Sequence, residues 1–400
     1  MQLSNFSDWL NPQKTEIEAF LKTLVEINTH TANTVGVDHG MDVLSSFAEE
    51  KGFIVEVASG RGRLIKMTKG EARPRVLLIA HMDTVFSSDM GFDTYEPLGD
   101  GFVRGPGVGD IKGGLVMGLW AMLAIRELFD AYDVQLVVSP DEESGSPSIR
   151  DWYMRGHVGA DYAIGLEPGF PQGELSPTVP LGVVIQRRGY ALINFTVKGK
   201  SCHSGVPQEG LSAIDALAHR IVALQPLNDY ERGVTVNVGL VSGGVSPNTV
   251  AGEANASVSF RYFTMQDGQA TKEAIEEILS RQYVYNPILD LWDSVEMQTE
   301  AFIPPMEKTP QNLMLADIVL QEAEQLGHHV VPLVRGGGSD ANFISATGVP
   351  TICGMGAPAQ GIHTTEEKIY LPMMFERIEL LTRTISRLIV EHPISAAKTD

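Results

Sequence analysis

The stretch "RVLLIAHMDTVF", residues 75–86, is an apolar run that delivers His81 and, two positions later, Asp83. The same arrangement recurs along the chain. "VQLVVSP" ends at Asp141, Glu142 and Glu143, "AIGL" ends at Glu167, and "PTICGM" leads by a short loop to His363. Asp110 joins them from the glycine-rich "GPGVGDIKGG", just before a strongly apolar helical run. Two imidazoles with several carboxylates and no thiolate form a donor set that suits a hydrolytic zinc pair or a similar divalent metal. A ligating imidazole normally gives its other N–H to a carboxylate or carbonyl that fixes its tautomer, and Asp83 is placed to be that partner of His81.

Each piece has a plainer reading when taken alone. An H-x-D is commonly a core histidine beside a surface acid. "DEESGS" reads equally as a solvated turn or a helix cap, "GLEPG" as a strand ending in a proline turn, and "GIHTTEE" as a loop before a helix. The glycines of "GPGVGD" are a poor dinucleotide site: no apolar strand feeds them, and neither G-x-G-x-x-G nor GK[ST] is completed. The conjunction of all five ligand types at strand ends favours the metal.

Elements that could bring these ends together follow from the periodicity. Residues 13 to about 180 alternate helical and strand patterns, with "EIEAFLKTLVEIN" and "LVMGLWAMLAIRELF" helical and "RVLLIA", "VQLVVS" and "DYAIGLEP" extended. That order predicts an α/β fold, a mostly parallel sheet sandwiched by helices. In such sheets ligands bind outside the carboxyl ends of the strands. From 183 to 301 the pattern changes to β-α-β-β-α-β, beginning with "VVIQRRGYALINFTVKG" as one strand; this is the ferredoxin-like α+β order. After about 302 the βα alternation resumes, ending in a long helix near 392. The expected organisation is a discontinuous metal-binding domain, residues 1–182 and 302–400, carrying an inserted lid or dimerisation domain, residues 183–301.

Bulk properties narrow the function. A chain of 400 residues is long for one core. The net charge of −20, from 30 basic and 50 acidic residues, argues against nucleic acid or an anionic membrane as partner. Two cysteines, Cys202 and Cys353, stand far apart in no metal-like spacing, which argues against a disulfide framework and a thiolate zinc site. The first residues lack a signal-peptide pattern, and "LVMGLWAMLAI" is read as too short to span a bilayer. A cytoplasmic protein is expected.

Taken in order, "HMDTV", "GPGVGDIKGG", "DEESGS", "LEPG", "GKSCHSG", "GGGSDAN" and "GIHTTEE" resemble the two-zinc exopeptidase and deacylase family. That family includes acetylornithine deacetylase, succinyl-diaminopimelate desuccinylase, aminoacylase and the glutamate carboxypeptidases of the carboxypeptidase-G type. The likeness runs from about residue 13 to 392 and is nearest to the glutamate carboxypeptidase branch, through "HMDTVF", "RRG" at 187–189 and "GGGSDA". It implies two zinc ions, or cobalt or manganese in their place, bridged by Asp110. His81 and Glu167 would complete one ion, Glu143 and His363 the other. It further implies Glu142 as general base, Asp83 as the acid orienting His81, and a cis peptide between Asp110 and Ile111.

His203 of "GKSCHSG" would stabilise the oxyanion, often from the neighbouring subunit of a dimer, although a loop imidazole after an edge strand is its plain reading. Asn248 and Arg261 would hold a substrate carboxylate, against an ordinary strand-end ion pair for Arg261. "GGGSDAN", residues 336–342, reads either as a tight loop and helix cap or as an anion cradle. Gly169 and Cys202 depart slightly from the family pattern without removing a ligand. The implied function is hydrolysis of an amide beside a carboxylate-bearing residue, as a carboxypeptidase on small peptides or acylated amino acids, in a homodimer built through 183–301. The alternatives are an N-acyl amino acid deacylase and a catalytically silent binding protein.

Overall fold

Strand Arg75–His81 is buried at every position after Arg75, and Tyr132–Ser139 is buried throughout. Strands without an exposed face need cover on both sides, which is how parallel sheets are built. A computed structural model of the chain describes residues 1–70, 74–156 and 159–391. Its six-stranded sheet has the order Ile54–Val57, Arg63–Lys69, Tyr132–Ser139, Arg75–His81, Tyr162–Gly165, Thr351–Ile352. The last four strands run parallel, and the outer two form an antiparallel hairpin against Tyr132–Ser139. The α/β reading therefore holds, with an antiparallel edge on the parallel core.

The register decides where the chemistry lies. His81 pairs with Ser139, and Ile79 with Gly165, so three neighbouring strands end at one level. A second, small antiparallel sheet is built from Ala359–Gln360, Lys368–Tyr370, Phe102–Arg104 and Glu96–Gly99. His363 lies in the loop between its first two strands, not in a loop leaving the main sheet as expected. The segment carrying Asp110 leaves the same small sheet after Arg104.

The helix over Gly113–Leu128 is buried from Gly113 to Ile125. With the turn before it, Val108–Leu128 makes 21 residues, long and apolar enough by composition to cross a membrane, but its apolar stretch up to Ile125 is buried inside the protein. Reading it as too short came from stopping at the glycines; its cover is protein. Another helix, Thr34–Glu50, was not anticipated; Asn33 caps it by accepting from the Gly36 N–H.

The chain divides into two compact units. The first comprises Met1–Gln186, Lys308–Arg335 and the residues from Ser339 onward; the second comprises Arg187–Glu307 with Gly336–Gly338. In the second, an antiparallel sheet of order Thr235–Gly243, Glu253–Tyr262, Gly189–Lys198, Ser294–Ile303 is crossed by helices Ala213–Leu224 and Met265–Ser280. Burial alternates residue by residue along Gly189–Lys198, so one face packs on the helices. Ser212 and Thr264 cap the two helices by accepting from Asp215 N and Asp267 N. The single strand expected over 183–199 is two, Leu181–Arg187 and Gly189–Lys198, which pair in different sheets. Only Arg188 separates the apolar run of the first from the alternating pattern of the second.

The double glycine after Asp110 lets its helix begin directly against the strand end that precedes Glu167. A Cβ on Gly114 would stand 2.1 Å from the Leu166 carbonyl oxygen, which is backbone and cannot step aside. Alanine ordinarily gains about 1 kcal/mol over glycine inside a helix. Here we expect the opposite sign: Gly114→Ala should lose about 1–3 kcal/mol in denaturant unfolding. An unchanged or raised midpoint would show that helix and strand end separate freely.

Candidate metal centre

Asp110 is the hub of the strand-end cluster. His81 Nε2 lies 3.3 Å from its Oδ1, and His363 Nε2 lies 3.3 Å from its Oδ2. His363 Nε2 is also 3.3 Å from Glu143 Oε2. Glu142 Oε2 and Glu167 Oε1 each stand 3.9 Å from His81 Nε2. His81, Asp110 and Glu143 each offer an atom within 4.8 Å of the others, a spacing able to hold a metal ion. All five anticipated ligands are thus brought together, with His81 buried (1% exposed) and His363 half open (52%). The Asp110–Ile111 peptide is cis.

His81 Nδ1 contacts the Asp83 backbone oxygen at 2.9 Å, with the Asp83 carboxylate at 3.4 Å. A carbonyl can only accept, so Nδ1 carries a proton and Nε2 faces Asp110. Asp83 thus meets His81 with both its carbonyl and its carboxylate. The carboxylate also accepts from the backbone N–H of Glu142 (2.9 Å) and Glu143 (3.2 Å) and from Thr31 Oγ1 (2.6 Å). Asp141, the first acid of the triplet, turns away, and its Oδ2 accepts from Ser148 N and Oγ.

The electrostatics are those of crowded, dry carboxylates. Burial pushes the Glu142 carboxyl well above its ordinary range; His81 opposes this, and Glu167, Asp340 and Glu143 reinforce it. Burial alone would also raise Asp110, but His363 and His81 hold it below the usual range. Asp110 and Glu143 push the His363 imidazole up to about 10. Burial works against a charged His81, yet Asp110, Asp83 and Glu142 raise it well above its normal value.

Three residues of this centre escaped the sequence reading. Glu367 Oε1 accepts from Gly109 N (2.8 Å) and Asp110 N (3.0 Å), holding the Asp110 turn from beneath, and burial followed by the Asp110 charge pushes it up to about 8. Lys112 is fully buried with Nζ on the Ile27 carbonyl, and burial brings it down to about 7. Asp340 lies buried behind the Glu142 turn. Lys112 offered one signal, a charge set against the double glycine of "GDIKGG"; Asp340 in "GSDAN" and Glu367 in "TTEEK" offered none.

The remaining anticipated residues belong to the second unit. His203 and Asn248 are exposed and adjacent: Cys202–His203 pairs with Thr249–Val250, and Ser204 N donates to Asn248 O at 2.9 Å. His203 Nδ1 accepts from Gly205 N. Arg261 lies apart from that ribbon, on the central sheet; it donates to Gly336 O at 2.8 Å and stacks on Tyr190. Arg187 donates to the Gly337 and Gly338 carbonyls. The start of helix Asp340–Ala346 is closed by a capping box between Ser339 and Asn342, so this loop takes the helix-cap form of its two readings.

The family model described as Peptidase family M20/M25/M40 matches residues 77–387. The chain belongs to that family. Among its relatives, carboxypeptidase G2 of Pseudomonas sp. (strain RS-16) is 25% identical over 92% of this chain and 88% of its own. Succinyl-diaminopimelate desuccinylase of Nitrosomonas eutropha is 26% identical over 81% of this chain and 84% of its own. The crystal structure of aminopeptidase PepT from Bacillus cereus superposes with a TM-score of 0.75 at 21% identity, covering 94% of this chain and 98% of that one. The M20 chain is accordingly a metallopeptidase or amidohydrolase, in a family of typically dinuclear metal enzymes.

The M20 donor set fits a cation. Asp110 Oδ1 is buried without a hydrogen-bond partner, and Nε2 of His81 must face it with either a second proton or a metal ion between them. His363, pushed up to about 10, holds its proton above neutral pH, so a metal has to displace it, and His81 is shifted in the same direction. Loading metal-depleted protein should therefore release at least about one proton per metal pair at pH 7, from His363. Apparent affinity should climb as pH rises from 6 toward 10, the upper value set by His363. Titration calorimetry in buffers of different ionisation enthalpy measures this, and a heat independent of buffer would contradict it.

Proposed function

We propose that this chain is a dinuclear zinc hydrolase that cleaves an amide bond adjacent to a carboxylate-bearing residue, a carboxypeptidase acting on small peptides or acylated amino acids. The observation that supports this best is Asp110, with an imidazole nitrogen 3.3 Å from each of its oxygens and Glu142 beside it. In this reading Asp110 would be shared by two ions, His81 and Glu167 would help hold one, and Glu143 and His363 the other. Cobalt or manganese suits the same donors. When bound, the ion pair lowers the pKa of water and polarises the scissile carbonyl.

The chain's own groups do the rest. Glu142 would take a proton from the attacking water, whose oxygen bonds to the scissile carbon, and return it to the nitrogen as the C–N bond breaks; its raised pKa brings it closer to the working pH, where a general base is most effective. Asp83 sets the His81 tautomer and holds the backbone of Glu142, so one residue aligns ligand and base. His203 donates to the oxyanion as negative charge develops. Asn248, its neighbour in the ribbon, and Arg261, with its bidentate fork, hold the substrate carboxylate.

The relationship to carboxypeptidase G2 supports the peptidase side. The relationship to a desuccinylase supports a second reading, an N-acyl amino acid deacylase with the same machinery. The complete base and ligand set weighs against a silent binding protein. A net charge of −20 opposes nucleic acid and anionic membranes as partners.

We also propose a homodimer through the second unit with His203 supplied to the partner's centre. Edge strand Thr235–Gly243 leaves Leu240 (71%) and Val241 (57%) exposed. Pairing that edge across a two-fold axis would remove an aggregation hazard.

Glu142→Gln should retain its metals and lose about 10²–10⁴-fold in turnover. Assays on C-terminal Glu, Asp and Gly dipeptides beside N-acyl amino acids give the rate and separate peptidase from deacylase. Near-native turnover with full metal content would remove Glu142 from the role. His203→Ala should cost about 10²–10³-fold. Mixing it with Glu142→Gln should restore activity once subunits exchange; no recovery despite proven exchange would exclude donation between subunits.

A further inference from the structure

The turn that carries Glu142 and Glu143 is fastened at its base by a carboxylate with no part in the proposed chemistry. Asp340 is 2% exposed. Ser139 Oγ, from the last residue of its strand, donates to Asp340 Oδ2, and Ser146 Oγ, from beyond the turn, donates to Oδ1. Tyr153 OH adds a third hydrogen bond, to Oδ2, at 3.1 Å. Both glutamates lie between the two serines, so one side chain closes the loop that presents them.

The loop needs such a fastening. Gly145 has φ 85° and Ser146 φ 55°, and a non-glycine residue rarely occupies that left-handed region. Inside the turn, Ser144 N and Ser146 N donate to the Asp141 carbonyl, and Gly145 N donates to that of Glu142. Asp83 holds the Glu142 and Glu143 N–H groups from the other side. Hydroxyls are the partners the structure gives Asp340, and a carboxylate buried among hydroxyls is a costly way to obtain stability alone. Acceptance from two points of one loop is, by contrast, a direct way to set its height and direction.

We propose that Asp340 is a positioning residue for the hydrolytic reaction, acting through Ser139 and Ser146 to hold the Glu142–Glu143 turn in line with Asp110. This rests on the roles proposed above for Glu142 and Glu143. A displacement of about 1 Å at a reacting group can cost on the order of 10²-fold in rate.

The test uses the full-length, metal-loaded protein as Asp340→Asn, Ser146→Ala and the Ser139→Ala/Ser146→Ala double variant. Tyr153→Phe serves as the control that removes a hydroxyl from outside the loop, one that touches Asp340 and Ser139 but leaves both serine bonds to Asp340 in place, and Glu142→Gln as the reference for the base. Kinetics on the best substrate of the panel and the half-life of metal retention against a chelator are both read. Asp340→Asn and the double serine variant should lower kcat by about 10–10²-fold with KM changed less than about threefold. They should also shorten metal retention by at least about fivefold, because Glu143 moves with the loop. Tyr153→Phe should stay within about threefold on every readout.

Native kcat and native retention in Asp340→Asn, or a fall in melting temperature alone, would overturn the proposal while leaving the function reading intact if Glu142→Gln is inactive. If Glu142→Gln is itself active, that reading fails, and metal retention alone then decides whether Asp340 holds the loop. If Asp340→Asn does not fold, Ser146→Ala decides in its place by the same two readouts, since it deletes one hydroxyl and leaves the backbone geometry available.

Discussion

Negative charge held out of water is the constraint on which this structure turns. Asp83, Asp110, Glu142, Glu143 and Glu167 meet where strands of one sheet end, and His81 is fully enclosed among them. Desolvated carboxylates repel one another and push their own pKa values upward. Two imidazoles moderate this by flanking Asp110, and Lys112 lies buried nearby. Such a cluster persists only when cations or protons hold it and when surrounding backbone leaves the acids no room to part. The tight turns, the close-packed helix start at Gly114 and the hydrogen bonds of Asp83 and Glu367 supply that confinement.

Two sheets share the work. The parallel sheet delivers His81, the Glu142–Glu143 turn and Glu167 at one level, because parallel register aligns strand ends. The small antiparallel sheet anchors the segments bearing Asp110 and His363, and Glu367 ties them by accepting from the Asp110 turn. Its loop places His363 at φ 61°, an uncommon conformation for a histidine that the hairpin imposes. The same hairpin leaves that imidazole far more open to solvent than His81.

Much of this was legible in the residues alone, for physical reasons that differ from place to place. A buried parallel strand must be apolar throughout, so its end is conspicuous, and three ligand positions could be read from such ends. His363 obeyed no such rule: its short strands carry too few residues for a period, and the main-sheet strand before it ends at Ile352. The break at Arg188 was invisible because the apolar run of Leu181–Arg187 passes into the alternating strand Gly189–Lys198 with only Arg188 between them. Glu367 and Asp340 look like any solvated acid in sequence; only the fold reveals that they are enclosed. The second unit was readable in element order because its helices and strands keep clean amphipathic periods, as the burial along Gly189–Lys198 shows.

The interrupted first unit has a bearing on how the chain acquires its form during synthesis. All four strands of the second unit's main sheet lie between Gly189 and Ile303, so that unit can assemble from contiguous chain as soon as it emerges. The first cannot. Its sheet is closed by Thr351–Ile352 pairing with Ala163 and Ile164, and the helix Leu371–Glu391 packs against the core helix Gly113–Leu128. Contacts across such long sequence separations form late, after the loop-closure entropy has been met. Until residues 351–363 have been made, Tyr162–Gly165 lacks its neighbour in the sheet and the acidic cluster lacks His363. The nascent protein therefore passes through an interval with one finished unit and one unfinished, the stage at which chaperone cover matters most.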